Sequence, residues 1–268
     1  MKVVVMGGFG RVGASLVEIL GDQDMEVVAA SRRSGVDAFT GAGLRAALAG
    51  ADVVVDVMNS PSFADDADGF FETATANLLA AEAAAGVRQH IALSIVGAER
   101  LTANGYFRAK HAQEQKVRSS AVPHTILRAT QFFEFLGEIA NASEGGREVR
   151  LAPARVQPVA ADDVAIALSK LVTAEPLGAT VELAGPDSFR LDAIVSAFMA
   201  ATGDQRPVLT DPEAPYFGTR LSDETLMAGD VLRFGYTDFD AWLRRWVRQH
   251  PPAERPIAPP AAPAASLP

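Results

Sequence analysis

The chain has 268 residues, 49% of them apolar, and a formal net charge of −9. That length suits one large α/β domain or a core domain with a smaller appendage, and an acidic surface gains nothing from a phosphate backbone, so nucleic acid is not an expected partner. The absence of cysteine excludes disulfides, thiolate nucleophiles and cysteine-bound zinc.

The four histidines, His90, His111, His124 and His250, show no ligand spacing, so no metal site is expected. The N-terminal "MKVVVMGGFG" lacks the apolar core of a signal peptide. No apolar run reaches the roughly 18 residues that would span a bilayer. These readings predict a soluble, cytoplasmic protein with a small-molecule substrate and no membrane partner. A homo-oligomer is left open.

In chain order, "KVVVM" (2–6) reads as a buried strand, and "GRVGASLVEILG" (10–21) as a helix with Val12, Leu16, Ile19 and Leu20 at helical spacing. Strands are predicted at 26–30, at 35–39 as a short third, at 52–58, 89–95 and 124–129. Helices are predicted at 43–51, 69–86 and 105–120, with Gly86 as a C-cap. This alternation predicts a doubly wound parallel α/β sheet. Residues 1–150 are read as the dinucleotide-binding core. Helices at 160–172, 191–203 and 238–250 and a strand at 179–185 make residues 151–250 a smaller mixed lobe, integral with the core. The stretch 251–268 holds seven of the sixteen prolines and is expected to be a disordered tail.

The first strand and helix are joined by a loop with Gly7, Gly10 and Gly13 at three-residue spacing. A diphosphate needs backbone N–H donors, a helix N-terminus and no Cβ in the way. Gly7 suits the tight turn, Gly10 the close approach and Gly13 the helix packing. Phe9, Arg11 and Val12 stand in the same loop and first turn and are counted as cofactor contacts with it.

At the end of the second strand an NAD-binding fold usually carries an acid for the ribose 2′-hydroxyl. Here the sequence is "AASRRSG". Ser31 replaces the acid, and Arg32 and Arg33 could grip a 2′-phosphate, which predicts NADP(H) as cofactor. Asp37 could accept from the adenine amino group or cap the next turn. Asn59 follows the fourth predicted strand, where such a sheet places its ligand crevice.

"NGYFRAK" puts Tyr106 and Lys110 at i and i+4, on one face of a predicted helix. Ser94 lies twelve residues earlier, at the C-terminal end of a strand. The chemistry suits hydride transfer. A carbonyl that receives hydride gains charge on oxygen, a phenol can supply the proton, and a nearby ammonium can bring the phenol toward working pH. A serine hydroxyl can orient the carbonyl. Lys110 can also hold the nicotinamide ribose. On the substrate side, "RATQFFEF" offers Gln131, Phe132 and Phe133, and "APYFG" offers Tyr216. Trp242 and Trp246 read as core or as an oligomer contact.

The glycine loop, "SRRSGVD", "DVVVDVMN", "NLLAAEAAAGVRQHIALSIVG", "GYFRAK" and "TILRATQFFEF" together resemble the short-chain dehydrogenase/reductase superfamily, and within it the atypical, NmrA-like branch. The resemblance spans residues 1 to about 250. It implies a Rossmann-type fold and an NAD(P)-binding site. It maps glycine positions onto Gly7, Gly10 and Gly13, a phosphate-binding arginine onto Arg32 or Arg33, and an active-site set onto Ser94, Tyr106 and Lys110. The branch includes reductases, epimerase-like proteins and non-catalytic redox sensors, so two functions follow from it. One is an NADPH-dependent oxidoreductase of a small carbonyl or quinone. The other is an NADP(H)-binding sensor. The serine-to-tyrosine gap follows the shorter family pattern, not that of the extended members.

Overall fold

The computed structural model describes residues 1–60, 67–143, 146–229 and 231–251. The expected tail, apart from Pro251, lies outside them. The first half runs β1 (Lys2–Met6), α1 (Arg11–Gly21), β2 (Glu26–Ala30), α2 (Leu44–Leu48), β3 (Val53–Asp56), α3 (Ala67–Ala85), β4 (Gln89–Ile95), α4 (Gly105–Arg118) and β5 (His124–Ala129). The second half runs α5 (Leu136–Ala142), β6 (Val149–Leu151), β7 (Arg155–Val156), α6 (Ala161–Val172), β8 (Ala179–Ala184), β9 (Phe189–Arg190), α7 (Leu191–Thr202), β10 (Val208–Thr210), β11 (Val231–Phe234) and α8 (Phe239–Gln249).

Seven strands form one parallel sheet in the order β2-β1-β3-β4-β5-β8-β11. The valine runs of β1 and β3 are buried on both faces, as a doubly covered parallel sheet requires. α1 and α6 pack together on one face, and α3 and α4 pack together on the other. The order reverses between β1 and β3, and that switch point opens a crevice at the C-terminal ends of the strands. The sheet does not stop at residue 150, because β8 and β11 complete it.

Residues 35–39 form no strand. Gly35 sits at φ +80°, and Asp37 Oδ1 accepts from Phe39 N at 2.9 Å, so the segment turns instead of extending. β2 is therefore the sheet edge. β3 ends sooner than the apolar run suggests, because Met58 N donates to Asp56 Oδ1 at 2.9 Å, outside the ladder.

A second core fills the space between α4, α5, α7 and α8. Phe133 and Trp242 lie in it with ring centroids 5.3 Å apart. Trp246 stacks on Trp242 at 5.1 Å and is half-buried. Trp242 is thus core.

Candidate active site

β1 ends at Met6 and the chain turns at once. Gly7 takes φ +84°, which a side chain disfavours, and its N–H donates to Ala30 O at 2.8 Å. A Cβ on Gly13 would collide with the Gly7 carbonyl oxygen, so α1 packs on the loop only because residue 13 has no side chain. Gly10 is the N-cap of α1 and gives no side-chain cap. The first-turn N–H groups of Arg11, Val12 and Gly13 therefore lack partners within the helix, at its positive end. A Cβ on Gly10 would meet only Gly7 O, at 3.3 Å, with open space beyond. This cradle fits a dinucleotide diphosphate.

The cradle opens into a cavity of about 380 Å³. Gly10, Arg11, Val12 and Gly13 form one wall, and Asn59, Ser94, Tyr106 and Lys110 another. Gln131, Phe132 and Tyr216 close the far side. Residues from six separate stretches of chain thus meet where the sheet order reverses. Phe133 does not join them. It is 1% exposed, with its ring against Phe239 and Trp242, because the short helical turn over Phe133–Phe135 points it into the second core.

The β2 end stands outside the cavity, flanking the glycine loop. Ser31 Oγ accepts from Arg33 N at 3.1 Å and Ser34 Oγ accepts from Ser31 N at 2.9 Å, closing a tight turn that leaves Arg32 and Arg33 exposed. The Arg33 guanidinium lies 5.6 Å over the Phe9 ring, itself 48% exposed. Asp37 makes the turn cap described above.

Tyr106 lies in the first turn of α4, where Asn104 Oδ1 caps its N–H at 2.9 Å. The phenol is buried, and its hydroxyl donates to Asn59 Oδ1 at 2.8 Å. Burial pushes its pKa above the ordinary value. The expected lowering by Lys110 is thus not the state of this structure, because the ammonium is engaged elsewhere. Lys110 Nζ donates to Leu93 O at 2.8 Å and to Gln113 Oε1, and lies 4.7 Å from the Phe71 ring centroid. Burial lowers Lys110 from 10.5 to about 8, against the pull of Asp56 and Glu114. Ser94 lies one residue before the end of β4, 2% exposed, with Arg128 as its ladder partner.

Two residues that the sequence reading missed organise the lysine. Gln113 Nε2 donates to Asp56 Oδ2 at 2.9 Å, so a buried carboxylate orients the amide that holds Lys110. Gln113 follows Lys110 at i+3, which is legible, but the meeting with Asp56 across 57 residues is tertiary. Glu134 and Glu138 also reach the cavity wall. Glu134 accepts from Trp242 Nε1 at 3.0 Å and from Ala161 N at 3.2 Å, and burial raises its carboxyl.

Among the described residues there is no cluster of acidic and histidine side chains that could hold a metal ion. None of their helices is long and apolar enough to cross a membrane.

Comparison with known proteins agrees with this geometry. A model of the NAD(P)H-binding family matches residues 7–175. A (4-alkanoyl-5-oxo-2,5-dihydrofuran-3-yl)methyl phosphate reductase of Streptomyces griseus subsp. griseus is 33% identical over 143 residues, 48% of either chain. The match thus spans about half the length of that relative. Among solved structures, MoeE5 in complex with UDP-glucose and NAD superposes with TM-score 0.70 at 16% identity, over 93% of this chain and 99% of that one. A short-chain dehydrogenase/reductase superfamily protein from Agrobacterium tumefaciens with bound NAD gives 0.66 at 21% identity, over 93% and 99%. The chain therefore belongs to the NAD(P)H-binding family, and its fold is that of these dinucleotide-binding structures.

Proposed function

We propose that the protein is an NADPH-dependent reductase of a small apolar carbonyl or quinone, with Tyr106 as its proton donor. One observation carries this reading. A buried phenol, with a lysine one turn on, lines the same cavity as the capless N-terminus of α1. When bound, the dinucleotide supplies hydride to the substrate carbon. Gly7, Gly10 and Gly13 would cradle its diphosphate, and Lys110 would hold its ribose. The turn after β2 carries Ser31, Arg32 and Arg33 and no carboxylate, which favours a 2′-phosphate.

Burial that raises the Tyr106 phenol keeps it protonated, which suits a donor better than a base. The reducing direction follows. As the proton leaves, Lys110, one turn on in the same cavity wall, is the cation that would stabilise the phenolate once freed from Leu93 O and Gln113. The reductase named above supports a reductive activity.

The Asn59–Tyr106 bond also favours a second reading, because it occupies the hydroxyl that a substrate would need. In that reading the protein is a sensor that binds NADP(H) without turnover. Calorimetry with NADPH and NADH, followed by NADPH oxidation across quinones, ketones and aldehydes, separates the two. Turnover that vanishes in Tyr106→Phe supports the reductase. Equal NADPH binding by both forms with no turnover supports the sensor.

A further inference from the structure

The cavity holds a polar group that none of the described residues satisfies. Gln131 is 6% exposed and lines the wall, yet among the described residues neither its Nε2 nor its Oε1 has a hydrogen-bond partner. A buried amide left unpaired at both ends is costly, and native structures keep few of them without a reason. Around it the wall is aromatic, with Phe107, Phe132, Phe135, Tyr216 and Phe217.

Charge on that wall is even in number, and Glu138 is its exposed carboxylate. Glu134 and Glu138 reach it. The cations among the described residues that line it, Arg11 and Lys110, are both engaged. The Arg11 guanidinium lies 5.5 Å over the Trp246 ring, and Lys110 is held by Leu93 O and Gln113.

Resting on the reductase reading above, we infer that the substrate is flat and uncharged, presents a hydrogen-bond donor and acceptor side by side to the Gln131 amide, and is selected against anions by Glu138 at the rim. A carboxamide, a lactam or a hydroxyketone edge has this chemistry. The amide offers one N–H and one oxygen in a plane, so a complementary edge makes two bonds at once. A phosphate or carboxylate instead meets the exposed carboxylate of Glu138 at the rim of the pocket. On this ground the site differs from that of a reductase whose named substrate is a phosphate ester.

Three probes test this: 1,4-naphthoquinone, its 2-carboxamide and its 2-sulfonate. Each is titrated by calorimetry into the full chain, with and without NADP⁺. Thiol addition cannot interfere, since the chain has no cysteine. The carboxamide is expected to bind about tenfold tighter than the parent quinone, and the sulfonate about tenfold weaker. Gln131→Leu should remove the advantage of the carboxamide over the parent. Should that variant fail to fold, Glu138→Lys on the exposed rim should strengthen sulfonate binding about tenfold. A sulfonate that binds as tightly as the carboxamide overturns the inference. So does a carboxamide advantage that survives Gln131→Leu, or no binding of any probe. If the binding order holds but NADPH is not oxidised, the reductase reading falls and the site chemistry stands.

Discussion

The Tyr106 hydroxyl donates to Asn59 Oδ1 at 2.8 Å, joining the first turn of α4 to the loop after β3. The side chain on which the chemistry is placed is thus tied to the switch point of the sheet. Tyr106→Phe keeps the ring and removes the donor, so the fold should stand while the rate falls about 100-fold or more. Asn59→Leu instead removes the acceptor of that buried bond, and should cost about 1 kcal/mol of stability. Steady-state rates and urea unfolding of the two variants check this.

Lys110 gives a stability signature in pH. Its folded value of about 8 lies below the ordinary 10.5. Between those values the unfolded chain holds a proton that the folded chain has lost, so stability rises with pH. The rise should be visible from about 8 to 9.5, below the ordinary tyrosine range, where Tyr106 begins to act the other way. In Lys110→Met the slope should flatten across that window. Urea unfolding at half-unit pH steps measures it, and an unchanged slope would remove the assignment.

Two glycines in one loop should behave differently. Gly13→Ala puts a Cβ into the Gly7 carbonyl and forces α1 off the loop, so both stability and dinucleotide binding should be lost. Gly10→Ala meets only Gly7 O at 3.3 Å, so the protein should fold while dinucleotide affinity drops. Thermal unfolding and calorimetry on the two variants separate packing from ligand approach.

Arg32→Ala and Arg33→Ala test the cofactor choice. Losing a guanidinium–phosphate contact should weaken NADPH binding about tenfold. NADH binding should not change. Equal loss for both dinucleotides would mean that the arginines serve the shared adenosine.

Phe133 supplies the control for the substrate side. Its ring is packed between Phe239 and Trp242, so Phe133→Ala should destabilise by about 3–5 kcal/mol. At a temperature where the variant is folded, its substrate KM should match that of the parent. A selective rise in KM would return Phe133 to the pocket.

The amino-acid sequence by itself determined the alternation of strand and helix, the glycine loop and the Tyr106–Lys110 face. Each is a local pattern: valine runs buried on two sides, glycines where a turn and a helix start coincide, and an i, i+4 pair. It could not determine that residues 35–39 turn instead of extending, because Gly35 and the Asp37 cap outweigh the short apolar run. Nor could it show that β8 and β11 finish the sheet begun by β1. Tertiary structure alone decided where the active-site groups point. Burial raised Tyr106 and lowered Lys110, Asn59 took the phenol, and Asp56 reached Gln113 from 57 residues away. Protonation and hydrogen-bond partners depend on which distant chains exclude water around a group, and no local pattern carries that information.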